Sequence, residues 1–438
     1  MSRRTPREAE TVEIIDLSDD FRGVAHPPGK VMMIHGALQG ETVRVRRMRG
    51  RRGHDEAALE AVIEPAAERG EPGCIHFDIC GGCSIQHMSP PAQRVAKEAR
   101  LMRLFEAAGV CPAERYEPLA GPEWGYRRRA RLGVRYVQGK GRVLVGFRER
   151  FKPYIAVLER CRVLRPPADG LLEPLSELIG SLSLFQRLPQ VEVSVADNRT
   201  ALVFRVLDPP TPDDLLAMQA FERVHDVDVY LQTGGPGTIS PLTPPAKPLV
   251  YSLPGAGLEF HFAPAEFIQV NADVNEKMVA RAVELLAPVS GMRVLDLFCG
   301  LGNFSLALAR AGASVTGVEA APELVERARS NARHNGIENA EFFAADLFED
   351  VSGQPWASAG YDAVLLDPAR AGAGPVLAMV AAAGAERIVY VSCNPETLAT
   401  DAGRLVNELG YELAGAGIID MFPHTNHVES ITLFERKS

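Results

Sequence analysis

From Thr11 to Ile63, short stretches of the chain alternate or run apolar. TVEIIDL, KVMMIHGAL, ETVRVRRM and AALEAVIE read as strands, with Gly23, Gly29, Gly40 and Gly53 between them. Strands this short at this spacing predict a small β-barrel, and no helix of useful length fits. PAQRVAKEARLMRLFEAAGV places Val95, Leu101, Leu104 and Phe105 near one face between Pro91 and Gly109, predicting a long amphipathic helix. WGYRRRARLGVRYVQGKGRVLVGFRER predicts two strands around the turn Gln138-Gly139-Lys140-Gly141, and QVEVSVAD with RTALVFRVLD a further hairpin. TGGPGTISPLTPPAKPL reads as a loop or domain junction.

From about Ala256 the rhythm changes to β-α-β-α. RVLDLFCG, SVTGVEA, AEFFAAD, YDAVLLDP and RIVYVSC read as strands, with helices NFSLALARAG and PELVERARSNARHNG between the first three. Strands alternating with helices predict parallel βαβ units and a doubly wound sheet. The expected organisation is three parts: an OB-like β-barrel over 1–66, a central α+β domain over 67–255, and an α/β Rossmann-like domain over 256–438.

Composition narrows the class. A chain of 438 residues with 46% hydrophobic and 24% charged positions is expected to be soluble and multidomain. No apolar run reaches the roughly 18 residues a bilayer span needs, and MSRRTPREAE has no apolar core of a secretory signal, so a cytoplasmic location is expected. Seven cysteines, an odd number, argue for metal or catalytic roles rather than a disulfide framework. Charge is uneven: residues 1–165 hold 30 Lys and Arg against 21 Asp and Glu, although the whole chain carries −9. A basic N-terminal part on an acidic partner suggests a bound polyanion, with Arg44 to Arg52 and the group Arg127, Arg128, Arg129 and Arg131 as candidate phosphate contacts.

Candidate chemistry collects at strand ends. VLDLFCGLGNFSLALA sets Gly300 and Gly302 between a first strand and a helix, where backbone can approach a ligand. The second strand ends in Glu319, a carboxylate able to hold ribose hydroxyls; Asp346 and Asp367 follow the third and fourth. A dinucleotide fingerprint would need a third glycine where Ser305 stands. That departure, with Asp367-Pro368, looks like class I S-adenosylmethionine methyltransferases; an NAD site is the alternative. Cys393 ends the strand VYVSC, and Glu429 precedes a final apolar strand. Taken alone, the first reads equally as a packed thiol and the second as a surface carboxylate. CIHFDICGGCSIQH offers Cys74, Cys80 and Cys83, and LERCRVL offers Cys161. Four thiolates suit zinc or an iron–sulfur cluster, and the unequal spacing fits poorly to a zinc ribbon.

LDLFCGLGNFSLALA, LLDPARAGA, VYVSCNPETLATD and HTNHVESITLF, in that order and preceded by EFIQVNADVNEKMV, resemble the uracil-5 RNA methyltransferase family. The resemblance implies methyl transfer from S-adenosylmethionine to uridine C5, with Cys393 as nucleophile and Glu429 as proton acceptor. It implies cofactor contacts at Gln269, Phe298, Asn303, Glu319, Asp346 and Asp367; family members often carry Asn where Asp346 stands. Phe267 is implied as a stacking partner for the target base. Cys74, Cys80, Cys83 and Cys161 are implied as ligands of a 4Fe-4S cluster, with structural zinc the alternative. The N-terminal barrel resembles the TRAM domain, and barrel plus cluster imply the 23S ribosomal RNA subgroup. Transfer RNA as substrate, or a non-catalytic RNA-binding iron–sulfur protein, are the alternatives. No membrane or protein partner is implied.

Overall fold

In the computed structural model, which describes residues 9–437, six strands open the chain. They are β1 (Glu10–Glu13), β2 (Asp16–Leu17), β3 (Gly23–Ala25), β4 (Met32–Ile34), β5 (Thr42–Gly50) and β6 (Asp55–Glu64), paired in the order β1-β5-β6-β4-β3-β2. The two outermost strands, β1 and β2, are consecutive in sequence with only Ile14 and Ile15 between them. Their amides bond to the carbonyls of Glu41 and Val24. The two ends of the sheet are therefore joined by a two-residue step, giving a β-rich N-terminal part. Val12, Ile14, Met32, Ile34, Val43 and Val45 fill its core.

This part belongs to the first of two compact units, which runs to Arg100 and takes back Phe422–Asn426 from near the other end of the chain. Helix α1 (Pro90–Ala107) begins in this unit. The helix forms where its period predicts, and Leu101 and Phe105 of the expected face are buried, but Val95 is 66% exposed. Toward the helix start that face continues through Gln93 and Lys97, each 1% exposed, and buried polar groups need partners. Gln93 Nε2 donates to the carbonyls of Ile85 (3.1 Å) and Met88 (2.8 Å), and Gln93 Oε1 accepts from the His424 amide (2.8 Å). Lys97 Nζ donates to the Phe422 carbonyl at 3.0 Å. The amides of Ser84 and Ile85 donate to the His424 carbonyl at 2.9 and 3.1 Å. Residues 422–426 are thus held as a strap by backbone and buried side chains of this unit.

The second unit contains Leu101–Met421 and the chain from His427. Its smaller sheet has the order β13-β12-β11-β10-β8-β9. After β7 (Glu114–Arg115), the strands are β8 (Arg129–Val137), β9 (Arg142–Gly146), β10 (Gln190–Val195), β11 (Thr200–Arg205), β12 (Val227–Gln232) and β13 (Ile239–Pro241). Both expected hairpins, β8–β9 and β10–β11, are antiparallel. α2 (Leu172–Ser181) follows β9, and α3 (Pro212–His225) links the parallel pair β11 and β12. A hairpin of β14 (Leu249–Leu253) and β15 (Leu258–Phe262) comes next. The domain boundary expected at 255/256 falls inside the turn of this hairpin, so no junction separates the parts there. Similarly, the first compact unit extends past the boundary expected at residue 66.

The larger sheet of this unit contains β16 (Arg293–Leu297), β17 (Ser314–Glu319), β18 (Ala340–Ala344), β19 (Ala363–Leu366), β20 (Arg387–Ser392), β21 (Tyr411–Ile419) and β22 (Glu429–Arg436). Its order, β18-β17-β16-β19-β20-β22-β21-β7, is that of an open doubly wound sheet reversing direction beside β16. β16 to β20 are mutually parallel, and β22 runs antiparallel between β20 and β21. Valine, leucine and isoleucine fill these strands because both faces are covered. The helices are α4 (Ala272–Leu286), α5 (Ser305–Arg310), α6 (Pro322–His334), α7 (Leu377–Ala382) and α8 (Pro395–Asn407).

Candidate active site

The parallel register brings the candidate residues to one edge. Leu297 pairs with Val318 and Leu366, and Leu366 pairs with Tyr390. The chain positions that follow place Phe298, Glu319, Asp367 and Cys393 along the carboxyl ends of β16, β17, β19 and β20. Phe298 holds a left-handed backbone (φ +66°), as do Gly300 (φ +55°) and Gly302 (φ +95°). A Cβ on Gly300 would stand in open space, whereas one on Gly302 would press on Leu306 at 3.2 Å. One glycine keeps the cleft open and the other lets α5 pack.

Glu319 is oriented by two backbone amides: Gly300 donates to Oε2 and Ala321 to Oε1, both at 3.1 Å. Each oxygen keeps a lone pair for a vicinal diol. Asn303 exchanges amide bonds with Asn275 (2.9 and 3.0 Å) and accepts from the Tyr251 hydroxyl (3.0 Å), leaving one amide hydrogen to offer. Asn275 stands in the first turn of α4, so this pair docks that helix on the glycine turn. Asp346 is exposed, and its Oδ1 accepts from the Phe348 amide at 3.0 Å. The Phe348 ring lies 6.1 Å from that of Phe298.

Two acids crowd the floor. Asp296 is fully buried and accepts from the Ser305 hydroxyl. Burial pushes its carboxyl up to about 7 despite that bond. Asp367 is partly open to solvent, yet burial and then the charge of Asp296 push its carboxyl up to about 7 too. A strand edge carrying Glu319 and Asp367, with Asp296 buried behind it, suits a ligand with positive charge, and S-adenosylmethionine carries a sulfonium and an ammonium. On that donor set the residues fit the cofactor.

Gln269 comes from the loop between β15 and α4, and the arginines of β8 scaffold that loop. The Arg128 amide donates to the Val270 carbonyl at 2.8 Å. Arg129 donates to the carbonyls of Glu266 and, at 3.4 Å, Pro264. The Arg128 guanidinium is buried against Asp197, and Arg131 pairs with Glu192 at 3.0 Å. The expectation that this group contacts phosphate is corrected for Arg128 and Arg129: their charge is spent on carboxylates and carbonyls. Between them and α4, Phe267 stands 64% exposed.

Cys393 and Glu429 stand at adjacent strand ends. The β20–β22 ladder runs from Arg387–Glu435 to Ser392–Ser430, Cys393 is the residue after β20 and Glu429 the first of β22. The Glu429 charge acts on the Cys393 thiol. The thiol is pushed up to about 11, chiefly by burial, then by the Glu429 and Asp367 charges, with Arg370 pulling the other way. Two carboxylates stand near the sulfur. Arg370 and Asn394 were missed. Asn394 lies within the quoted strand-end motif, and Arg370 within LLDPAR.

The three clustered thiols come from one turn of the first unit. Cys74, Cys80 and Cys83 are half-buried; the Gly82 amide donates to Cys80 Sγ at 3.3 Å, a bond suited to a thiolate. Cys161, also half-buried, belongs to the second unit. Cys299 is buried with its thiol pushed well up by burial, and Cys111 is exposed. Strand β5 turns Arg44 and Arg46 outward, both within reach of Glu60, while Arg47 is engaged by Glu10 (2.5 Å) and Asp55 (2.9 Å). The Arg49 side chain lies outside the described residues. No described helix is long and apolar enough to cross a membrane.

Residues 250–437 match the tRNA (uracil-5-)-methyltransferase family. The chain is 50% identical over 438 residues to the 23S rRNA (uracil(1939)-C(5))-methyltransferase RlmD of Alkalilimnicola ehrlichii, covering 100% of this chain and 98% of that one. It is 49% identical to the RlmD of Nitrosococcus oceani over 98% of this chain and 97% of the relative. Among solved structures it resembles the Pyrococcus abyssi tRNA (uracil-54, C5)-methyltransferase in complex with S-adenosyl-L-homocysteine. That likeness has TM-score 0.74 and 25% identity, and covers 97% of this chain and 99% of that one.

Proposed function

The chain belongs to the RNA uracil-5-methyltransferase family, and on that premise we propose that it methylates C5 of a uridine in 23S ribosomal RNA through a covalent Cys393–C6 adduct. The relatives at about half identity are ribosomal RNA enzymes by name, whereas the transfer-RNA enzyme stands at 25%. The meeting of Cys393 and Glu429 at the adjacent ends of β20 and β22, where the carboxylate charge acts on the thiol, is the observation that supports the chemistry.

Uracil C5 is a poor nucleophile. Addition of the Cys393 sulfur to C6 forms the S–C6 bond and moves the C5–C6 π electrons onto C5 as an enolate. When bound, S-adenosylmethionine supplies an electrophilic methyl group on its sulfonium. Glu429 then takes the C5 proton, the C5–C6 double bond re-forms, and the sulfur leaves as thiolate. Glu319 would hold the ribose, Phe298, Asn303 and Asp346 the adenosine portion, and Gln269 and Asp367 the remainder. Phe267 would stack on a flipped uridine, whose extrusion costs a few kcal/mol. Cys74, Cys80 and Cys83, with Cys161, are the assigned thiolates of a 4Fe-4S cluster, and the barrel is read as a TRAM-like RNA-binding module working in the cytoplasm.

Glu429→Gln tests the pair. It keeps shape but cannot accept the proton, so protein should stay bound to RNA through Cys393. The adduct should survive denaturing electrophoresis, carry label from methyl-labelled cofactor, and vanish when Cys393→Ala is added. Full activity of Glu429→Gln would assign the base elsewhere, with His427 next in line; inactivity without an adduct would leave Glu429 a positioning role.

A further inference from the structure

Away from the crevice, three metal-ligating side chains converge where β15 meets the end of α6. Glu259 and His261 stand two positions apart on β15 and therefore on one face of it. His334 lies in the last turn of α6. Both imidazoles direct Nε2 at one oxygen, Glu259 Oε1, from 3.2 Å (His261) and 2.9 Å (His334). The two rings are 4.3 Å apart, and all three ligand atoms lie within 4.8 Å of one another.

We propose that Glu259, His261 and His334 bind a divalent transition-metal ion, zinc by the chemistry of the set, which clamps β15 to α6. Two imidazole nitrogens and a carboxylate oxygen are a common zinc set with a fourth position left for water. Ligand bonds of about 2.0–2.1 Å in a tetrahedron put neighbouring donors roughly 3.3 Å apart, close to the two nitrogen–oxygen spacings found here. The frame is rigid. The buried Asn331 side chain bonds both ways with the His261 backbone (2.9 and 3.2 Å), and Asn335 does the same with Glu259 (2.9 and 2.7 Å). These two asparagines, one helical turn apart, fix the strand's height on the helix. The site also caps the negative end of a 13-residue helix dipole, which favours a cation. Such an ion would brace the start of the segment that continues to Glu266, itself paired with Arg327 of α6 at 3.1 Å. The inference is independent of the methyl-transfer reading.

The test uses the full chain with its cysteine site loaded, titrated with Zn2+ alone and then Co2+ alone. Wild-type protein should bind one equivalent that His334→Ala and His261→Ala each lose, while His225→Ala, on another helix, keeps it. Asn331→Ala should weaken that equivalent about 10–100-fold through the backbone it holds. Zn2+ should raise the melting temperature of the wild type and leave both histidine variants unmoved. The Co2+ adduct should show ligand-field bands without a thiolate charge-transfer band. Unchanged stoichiometry and affinity in His334→Ala would overturn the site, as would a thiolate band in the added equivalent. The histidine substitutions lie at the surface, so circular dichroism of the metal-free variants separates misfolding from loss of a ligand.

Discussion

Asn394 Nδ2 donates to the Arg370 carbonyl at 2.8 Å, tying the loop after β19 to the loop that carries the thiol. Thr397 Oγ1 reaches the same carbonyl at 3.4 Å. Gly372, at φ +82°, completes the fit, since a Cβ there would meet Asp401 at 2.8 Å. The arrangement keeps a positive charge near Cys393 against the two carboxylates beside it.

Arg370→Ala and Glu429→Gln should therefore move the Cys393 thiol in opposite directions. Losing the arginine raises it further above about 11; losing the glutamate charge brings it down. The pH dependence of iodoacetamide labelling of the Cys393 peptide, read by mass spectrometry, measures both. Shifts of the same sign would mean that field effects do not control this thiol.

Asp367 makes stability depend on pH. Its folded pKa is raised from 3.8 to about 7, so between these values the folded state holds more protons than the unfolded one. The stabilisation is full below pH 4 and is lost as pH rises through 7. Asp367→Asn keeps a neutral group at every pH. Its melting temperature relative to the wild type, without cofactor, should climb from pH 5 to pH 8; a constant difference would contradict the shift.

Salt titrations of RNA binding should separate outward from inward arginines. Arg44→Ala with Arg46→Ala should flatten the slope of log K against log salt by about 0.7–0.9 for each phosphate no longer neutralised, with little change in melting temperature. Arg128→Ala should leave that slope alone. It removes the buried guanidinium beside Asp197, which keeps the Ser252 amide (2.9 Å) and Arg165 (3.7 Å), and should cost roughly 1–3 kcal/mol in denaturant unfolding.

Lys97→Met keeps the stem of a buried lysine but removes the donor to the Phe422 carbonyl. The carbonyl keeps the Thr425 hydroxyl as a donor at 3.0 Å, so the loss is one hydrogen bond to a charged group, roughly 1.5–3 kcal/mol. Hydrogen exchange across residues 422–426 should accelerate, whereas Val95→Ala, on the exposed face of the same helix, should change nothing there. Equal behaviour of the two variants would deny the strap its anchor.

Protein purified without oxygen should be brown and hold about four irons per chain. Cys80→Ala should lose them. Zinc in their place under the same handling would replace the cluster reading with structural zinc.

The βαβ rhythm and glycine turn made the larger sheet readable, because buried parallel strands are continuous apolar runs. The order of strands at its far side was not: β7 has only two residues, and β22 inserts between β20 and β21. The approach of Glu429 to Cys393 depends on that insertion, a long-range register that no local pattern encodes. Arginines beside a strand look alike whether they meet phosphate or carboxylate; what decides is Asp197 and Glu192, 69 and 61 positions away in the chain. In α1 the apolar positions Leu101 and Phe105 point inward as read, but the same face continues through Gln93 and Lys97, so a reading that counts only apolar positions takes Val95 for a core residue when it is exposed.

The place of β22 has a consequence for incomplete copies of the chain. A product stopped or clipped before Val428 would lack Glu429 and leave β20 and β21 with bare edges, a hydrophobic template for self-association. Such a product could still form the glycine turn and carry Cys393, but it would lack the carboxylate beside the thiol. Loss of that carboxylate and exposure of two apolar strand edges would then arrive in the same fragment.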